Sequence, residues 1–223
     1  MEARLTGINR NEALLYLSYK GGPIPADIQQ DIADCEALLL GTARPRMVWR
    51  LFDRLPDGTL AGTDFCPAGE DVGALLQDCK QVILMAATLG AEAEALLRRM
   101  QVEDMAQAMI LDACASAAIE NVCDNLCQDL AERFAPRYLT DRFSPGYGDM
   151  PFAQQRSLCR VLDVTRRIGV SLSDSGLMIP QKSVTALIGV ADKPQKKREK
   201  SCEGCSMADQ CTYRKDGKSC GAN

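Results

Sequence analysis

The longest helical pattern in the chain restricts its possible folds more than any other feature. Residues 103–134 contain neither glycine nor proline, and Pro136 follows them. Apolar side chains recur along one stripe, which includes Met105, Met109, Ile119, Val122, Leu126 and Leu130. The residues from Ala113 to Ala118 are small, so another element can approach closely there. The pattern predicts one long helix against which the rest of a domain packs.

Shorter patterns before and after this helix predict an α+β fold. Further helices are predicted at residues 9–19, 25–40, 91–100 and 152–168, and Gly169 is a natural stop for the last one. Strands are predicted at residues 48–52, 81–89, 177–179 and 184–190, with a turn at Pro180 between the last two. We therefore expect a mixed, mainly antiparallel β-sheet flanked by helices.

Composition excludes several classes of function. A formal net charge of −4 argues against nucleic-acid binding. No apolar run is long enough to span a membrane, and the first residues do not resemble a signal peptide. Eleven cysteines without an export signal lead us to expect reduced thiols and a cytoplasmic location. Because the chain has no histidine, Ser-His-Asp and Cys-His nucleophilic mechanisms are excluded.

The segment RFSPGYGDMP, at residues 142–151, separates two predicted helices. Arg142 carries a planar, permanently charged group that suits a carboxylate. Gly146 and Gly148 allow close approach of the backbone, and Tyr147 supplies a flat face and a hydroxyl. Proline and glycine are also what an ordinary turn requires. On these residues alone, the segment is either a ligand-binding loop or a connection between helices.

The pattern Arg-x-x-x-Gly-Tyr, at Arg142, Gly146 and Tyr147, resembles the S-adenosylmethionine signature of the activation domain of cobalamin-dependent methionine synthase. Ser-x-x-Met-x-Pro-x-x-Ser-Val, at residues 175–184, resembles that family's hairpin. YLSYKGG and ARPRMVWRLFD are similar to short free-standing members. The resemblance covers roughly residues 5–192. It implies a domain that caps a corrinoid-bearing domain and methylates cobalamin that has lapsed to cob(II)alamin, as an electron arrives.

The resemblance also implies roles for particular residues. Arg142 would pair with the methionyl carboxylate of S-adenosylmethionine, and the backbone around Pro145, Gly146 and Tyr147 would line its adenosyl side. Glu120 would contact the ligand's ammonium group. Glu120 alternatively belongs to a solvated helix stripe with Asp112, Ser116 and Asp124, at i, i+4 spacing. The chain departs from fused members of the family, because it lacks their later tyrosine-bearing strand.

The C-terminal residues carry four cysteines: Cys202, Cys205, Cys211 and Cys220. So short and polar a segment needs a metal or cluster as its core, and four thiolates suit a [4Fe–4S] cluster or structural zinc. Reactivation of cob(II)alamin needs an electron, which favours the cluster; a tail with incidental thiols is the remaining alternative. We expect an activation-like domain at 1–192, a charged linker at 193–201 and the metal tail at 202–223. The other seven cysteines are interpreted as small apolar residues.

Three functions are compatible with these features. The first is a reactivation component that binds S-adenosylmethionine and docks on a separate corrinoid-dependent methionine synthase or methyltransferase, which holds the cobalamin. The second is a docking subunit that has lost the ligand, and the third is an iron–sulfur electron donor. Whether the chain counts as an enzyme in its own right depends on which of these holds. We favour the first, because the Arg142, Gly146 and Tyr147 set is retained.

Overall fold

The computed structural model describes residues 3–19 and 23–195. The helices are α1 (Arg10–Tyr16), α2 (Ala26–Thr42), α3 (Glu70–Leu75), α4 (Ala91–Glu103), α5 (Met105–Phe134), α6 (Gln154–Leu162) and α7 (Val164–Ile168). The strands are β1 (Arg46–Asp53), β2 (Cys79–Thr88), β3 (Tyr138–Leu139), β4 (Ser171–Leu172), β5 (Met178–Ile179) and β6 (Ser183–Ala191). The four tail cysteines and the predicted 193–201 linker beyond Gln195 lie outside the described residues.

A four-stranded sheet with the order β1-β2-β6-β3 forms the centre of the domain. Within the described residues, each neighbouring pair in this sheet is antiparallel. In the two central strands Ile83 is paired with Ile188, and Leu84 with Leu187. Both strands are apolar on both faces, so helices must cover the sheet on each side.

Two helical layers provide that cover. Alternation along β2 sends Ile83 and Met85 into a core with α1, α2, α4 and α5. Val82 and Leu84 point to the opposite face, where α3, α6 and α7 pack. The predicted α+β fold, with a mainly antiparallel sheet flanked by helices, is confirmed.

Helix α5 is the long helix that the sequence predicts. Asp104 caps it, since the Asp104 carboxylate accepts hydrogen bonds from the backbone N–H groups of Ala106 and Gln107. Its small residues are buried against the core, as the predicted close approach requires. Met105 and Met109, however, are exposed. They line a groove beside the C-terminal end of α1 instead of contacting the sheet.

Two local predictions are wrong. The single helix at 152–168 is divided at Asp163, whose backbone is left-handed (φ 53°, ψ 47°). The predicted hairpin around Pro180 does not form: β6 pairs along its length with β2, and β3 pairs only with its last two residues. Strand β5 pairs instead with β4 in a separate two-stranded sheet. Helix α3 was not predicted.

None of the helices in the described part of the chain is both long enough and apolar enough to cross a membrane.

Candidate functional site

The segment 142–151 is fixed to the sheet at its first residues. Phe143 and Leu187 of β6 exchange two backbone hydrogen bonds, with N···O distances of 2.9 and 2.8 Å. The Phe143 ring is buried in the core of the α6 and α7 face, and so is Met150 near the other end of the segment. The loop therefore has two buried anchors, and its central residues are held out into solvent.

Two tight turns shape the centre of the loop. The Tyr147 N–H donates to the Ser144 carbonyl, and the Met150 N–H donates to the Tyr147 carbonyl, each at 3.0 Å. Gly146 has a φ of 90°, a value that side-chain-bearing residues rarely adopt. Pro145 is buried below this turn, while the Tyr147 side chain is 67% exposed at its tip. The turns thus present an aromatic ring on a backbone of defined shape.

Helix α3 supports the loop from the side. The Asp149 carboxylate accepts hydrogen bonds from the backbone N–H groups of Glu70 and Asp71, in the first turn of the helix. Gly148 has a φ of 51°, and a Cβ placed there would lie 2.1 Å from the Asp71 carboxylate. Glycine at 148 is therefore favoured by its backbone conformation, and the Asp71 side chain would have to move to admit a larger residue.

Arg142, at the start of the loop, is joined to helix α5. Its Nη2 donates to Glu120 Oε2 and to Asp124 Oδ1, both at 2.8 Å. The Arg142 side chain is 21% exposed, and Asp124 is the more exposed of the two carboxylates. The second terminal nitrogen, Nη1, is buried and has no hydrogen-bond partner within the described residues. Such a buried donor favours an added acceptor.

The helix stripe that offered an alternative role for Glu120 is occupied by ion pairs. Lys182, just before β6, donates to Asp112 Oδ1 at 2.9 Å and to Ser116 Oγ at 2.8 Å. Glu120 and Asp124 hold Arg142 two turns further along α5. All four stripe residues thus contact a cation at the helix surface, and the stripe fixes both the loop and the beginning of β6 to α5.

Tyr16, in the last turn of α1, belongs to the same surface. Burial raises the pKa of Tyr16 to about 12. The negative charges of Glu120 and Glu12 and the nearby Tyr147 hydroxyl add to this shift, while the positive charge of Arg142 opposes it. Sequence reasoning missed Tyr16 as a site residue. No spacing connects residue 16 with a loop more than a hundred residues later, and only the packing of α1 on α5 brings the two together.

The protein-family model described as "Vitamin B12 dependent methionine synthase, activation domain" matches residues 77–198, which is more than half of the chain. The chain belongs to this family. The match begins just after α3 and includes α5, the loop and β6.

A solved structure extends the similarity over the N-terminal elements of this activation-domain family member. "Crystal Structure of the MetH Reactivation Domain bound to AdoHcy" is similar with a TM-score of 0.59 and 17% sequence identity. The match covers 95% of this chain and 82% of the other. At this identity the likeness establishes a shared fold. No curated protein matches the chain.

Within this activation-domain fold, the residues predicted to bind the ligand are close to one another. Arg142 and Glu120 are in direct contact, and Tyr147 is exposed on the adjoining turn. Gly146 shapes that turn, and Pro145 is buried beneath it. Asp124 and Tyr16 are additions that the structure makes to the predicted set.

Two cysteines of α5 lie beneath the arginine. Burial raises the pKa of Cys123 to about 12, and Arg142 opposes this increase. Burial also raises the pKa of Cys127. Both thiols are therefore protonated at neutral pH. In residues 3–19 and 23–195, no group of three or more metal-ligating side chains converges.

Proposed function

We propose that this activation domain binds S-adenosylmethionine at the Arg142 loop and supports reductive remethylation of cobalamin held by a separate corrinoid-dependent methionine synthase or methyltransferase. The proposal rests on the hydrogen bonding of the Arg142 guanidinium group. Two carboxylates orient its guanidinium through Nη2, and Nη1 remains as a buried donor without a partner in the described residues. A ligand carboxylate would satisfy that donor in a charge-assisted hydrogen bond once the side chains that cover Nη1 move aside.

Each residue of the site has a physical role in this proposal. Arg142 binds the methionyl carboxylate, and Glu120, beside it, accepts a hydrogen bond from the ligand's ammonium group. The backbone of Pro145, Gly146 and Tyr147 lines the adenosyl side, where positive φ at Gly146 lets the chain approach the ligand closely. When bound, S-adenosylmethionine supplies a methyl group on a positively charged sulfur.

Exposure of the site agrees with transfer to another protein. A methyl group can reach a corrinoid on a partner only if the donor is accessible at the surface. Tyr147 is 67% exposed, and the loop tip projects beyond its buried anchors Phe143 and Met150. The AdoHcy-bound neighbour with the same fold supports an adenosyl ligand for this surface, and the family description supports cobalamin as the acceptor.

Calorimetric titration of S-adenosylmethionine into anaerobic protein tests the proposal. Arg142→Ala removes a charge-assisted contact worth about 2–4 kcal/mol, so affinity should fall by roughly 30- to 1000-fold. Arg160→Ala is the matched control, because Arg160 also forms an ion pair, with Asp64, but on α6. Micromolar binding that Arg142→Ala abolishes and Arg160→Ala preserves supports the proposal. Unchanged binding in Arg142→Ala would contradict it.

One observation favours a second function, that of a docking subunit without a ligand. Arg142 already joins the loop to α5 through two ion pairs, so its retention has a structural reason independent of any ligand. In that case wild-type protein binds no S-adenosylmethionine, while a corrinoid methyltransferase still binds the protein. Binding of the purified corrinoid protein, measured with and without S-adenosylmethionine, separates the two functions.

The division into an activation-like domain at 1–192, a linker at 193–201 and a tail at 202–223 remains part of the proposal. Cys202, Cys205, Cys211 and Cys220 would hold a [4Fe–4S] cluster, with zinc as the alternative. A cluster would make the tail a possible electron donor to the corrinoid. Iron, acid-labile sulfide and zinc measured on anaerobically purified protein decide between them, and a Cys205→Ala variant should lose whichever metal is present.

A further inference from the structure

Tyr16 has an unusual position for an exposed aromatic residue. It lines a groove of about 540 Å³ between the end of α1 and the N-terminal half of α5, together with Asp112 and Ser116. Glu120, the carboxylate that holds Arg142, lies one helical turn beyond Ser116 on the same stripe. The ring is 51% exposed, and the Tyr16 hydroxyl forms no hydrogen bond to another residue in the described part of the chain. The ring is thus available to a ligand that extends from Arg142.

Two groups of site residues lie within electrostatic reach of Tyr16. Glu120 and Arg142, which shift the pKa of the Tyr16 hydroxyl, belong to the end of the site that would hold the amino acid part of the ligand. Tyr147, which also acts on it, belongs to the turn that would line the adenosyl part. Tyr16 is therefore near residues proposed for both parts of the ligand, and the groove that it lines with Asp112 and Ser116 leaves its ring open to a ligand on this surface.

The charges on this surface favour a cation. Glu12, Asp112, Glu120 and Asp124 are negative, whereas Arg142 and Lys182 are positive. An aromatic face beside such carboxylates attracts a positively charged group through the ring quadrupole. The sulfur of S-adenosylmethionine carries one positive charge that the sulfur of the demethylated product, S-adenosylhomocysteine, lacks.

We infer that Tyr16 is a specificity-determining residue whose ring contacts the sulfonium group and helps the site to distinguish S-adenosylmethionine from S-adenosylhomocysteine. The inference rests on the proposed function, because it assigns a further contact to the same ligand. Such a contact promotes exchange of the spent product for a new methyl donor after each transfer.

The quantity that tests this role is a ratio of two dissociation constants, that for S-adenosylhomocysteine divided by that for S-adenosylmethionine. Both are measured by calorimetry on the full chain. Tyr16→Leu removes the ring and should lower the ratio by about 3- to 30-fold, the range expected for a cation–π contact. Tyr16→Phe keeps the ring and should keep the ratio within about twofold.

Tyr19→Leu is the matched control, because the Tyr19 hydroxyl donates to the Pro23 carbonyl at 2.8 Å in the adjoining loop. It should leave the ratio unchanged. A thermal melt of each variant checks folding, and a purely structural role for Tyr16 would weaken both ligands equally. An unchanged ratio in Tyr16→Leu, with binding still dependent on Arg142, overturns this inference and leaves the proposed function intact. If wild-type protein binds neither ligand, both are overturned.

Discussion

Gly189, near the C-terminal end of β6, is the position where one added methyl group should have the clearest effect. A Cβ there would lie 2.5 Å from Cys79 Sγ, 2.9 Å from Leu76 Cδ2 and 3.0 Å from Thr140 Cγ2. All three neighbours are buried. Ordinary contacts between such atoms are about 3.5–4.0 Å, so the sulfur contact alone is short by about 1 Å. The neighbours approach from β2, from the residue that follows β3 and from the end of α3, so the pocket cannot simply widen.

The expected magnitude combines two opposing effects. Gly189 does not have a positive φ, so alanine suits its backbone and would stabilise by about 0.4–1 kcal/mol through the unfolded chain. Overpacking a buried site costs about 1–3 kcal/mol, and the shortness of the contacts places this site in the upper part of that range. We expect Gly189→Ala to lower the free energy of unfolding by about 2 kcal/mol. In a chain of this size, Tm should fall by roughly 4–8 °C.

Urea denaturation followed by fluorescence of Trp49, the single tryptophan, measures the effect. Cys79→Ala removes the sulfur, so the double variant should recover about 1 kcal/mol relative to the sum of the two single changes. Gly41→Ala, in α2, is the control, because nothing lies within 4 Å of a Cβ at that position, and it should stabilise by about 0.5–1 kcal/mol. A neutral Gly189→Ala, or strictly additive changes, would refute the packing argument.

Two further predictions concern the loop and the buried thiols. Gly148→Ala should lower the free energy of unfolding by about 1–2 kcal/mol because of the positive φ at this position. Adding Asp71→Ala should restore little of this loss, since the exposed Asp71 side chain can move away. Urea titration of the two single variants and the double variant checks both expectations. Burial raises the pKa of Cys114 and Cys123 to about 12 from an ordinary 9. Above pH 9 the folded chain keeps thiol protons that the unfolded chain loses. The contribution of these two cysteines to the free energy of unfolding is therefore complete below pH 9 and is lost as pH rises towards 12. Urea titrations at pH 8, 9 and 10 should show a decline above pH 9 that is less steep in Cys114→Ala, and identical slopes would contradict this reasoning.

The sequence predicted those elements whose pattern is set by burial along a single segment. Helix α5 and strand β2 were found because long periodic or continuous apolar runs have few alternative structures. The pairing of the segment before Pro180 could not be predicted in the same way, because it depends on a contact with β4, a separate segment of the chain. The break at Asp163 was also missed, since a left-handed aspartate carries no sequence signature of its own.

The same distinction between local pattern and tertiary packing applies to the candidate site. Arg142, Gly146 and Tyr147 are recognisable because they lie within six residues of one another. Asp124 was visible as part of a helical stripe, but its contact with Arg142 depends on how the loop returns to α5. Tyr16 reaches the site only through the packing of α1 on α5, a relation that no local pattern contains.

The paired contacts along α5 limit how the length of this helix can vary among related chains. Asp112 and Ser116 bind Lys182, and Glu120 and Asp124 bind Arg142. One inserted or deleted residue between these two groups would rotate one group by about 100° relative to the other and separate it from its cation. Insertions and deletions should therefore be absent from residues 112–124 in relatives that keep both pairs. Residues 105–107, at the exposed start of the helix, precede both groups and are not restricted by these contacts.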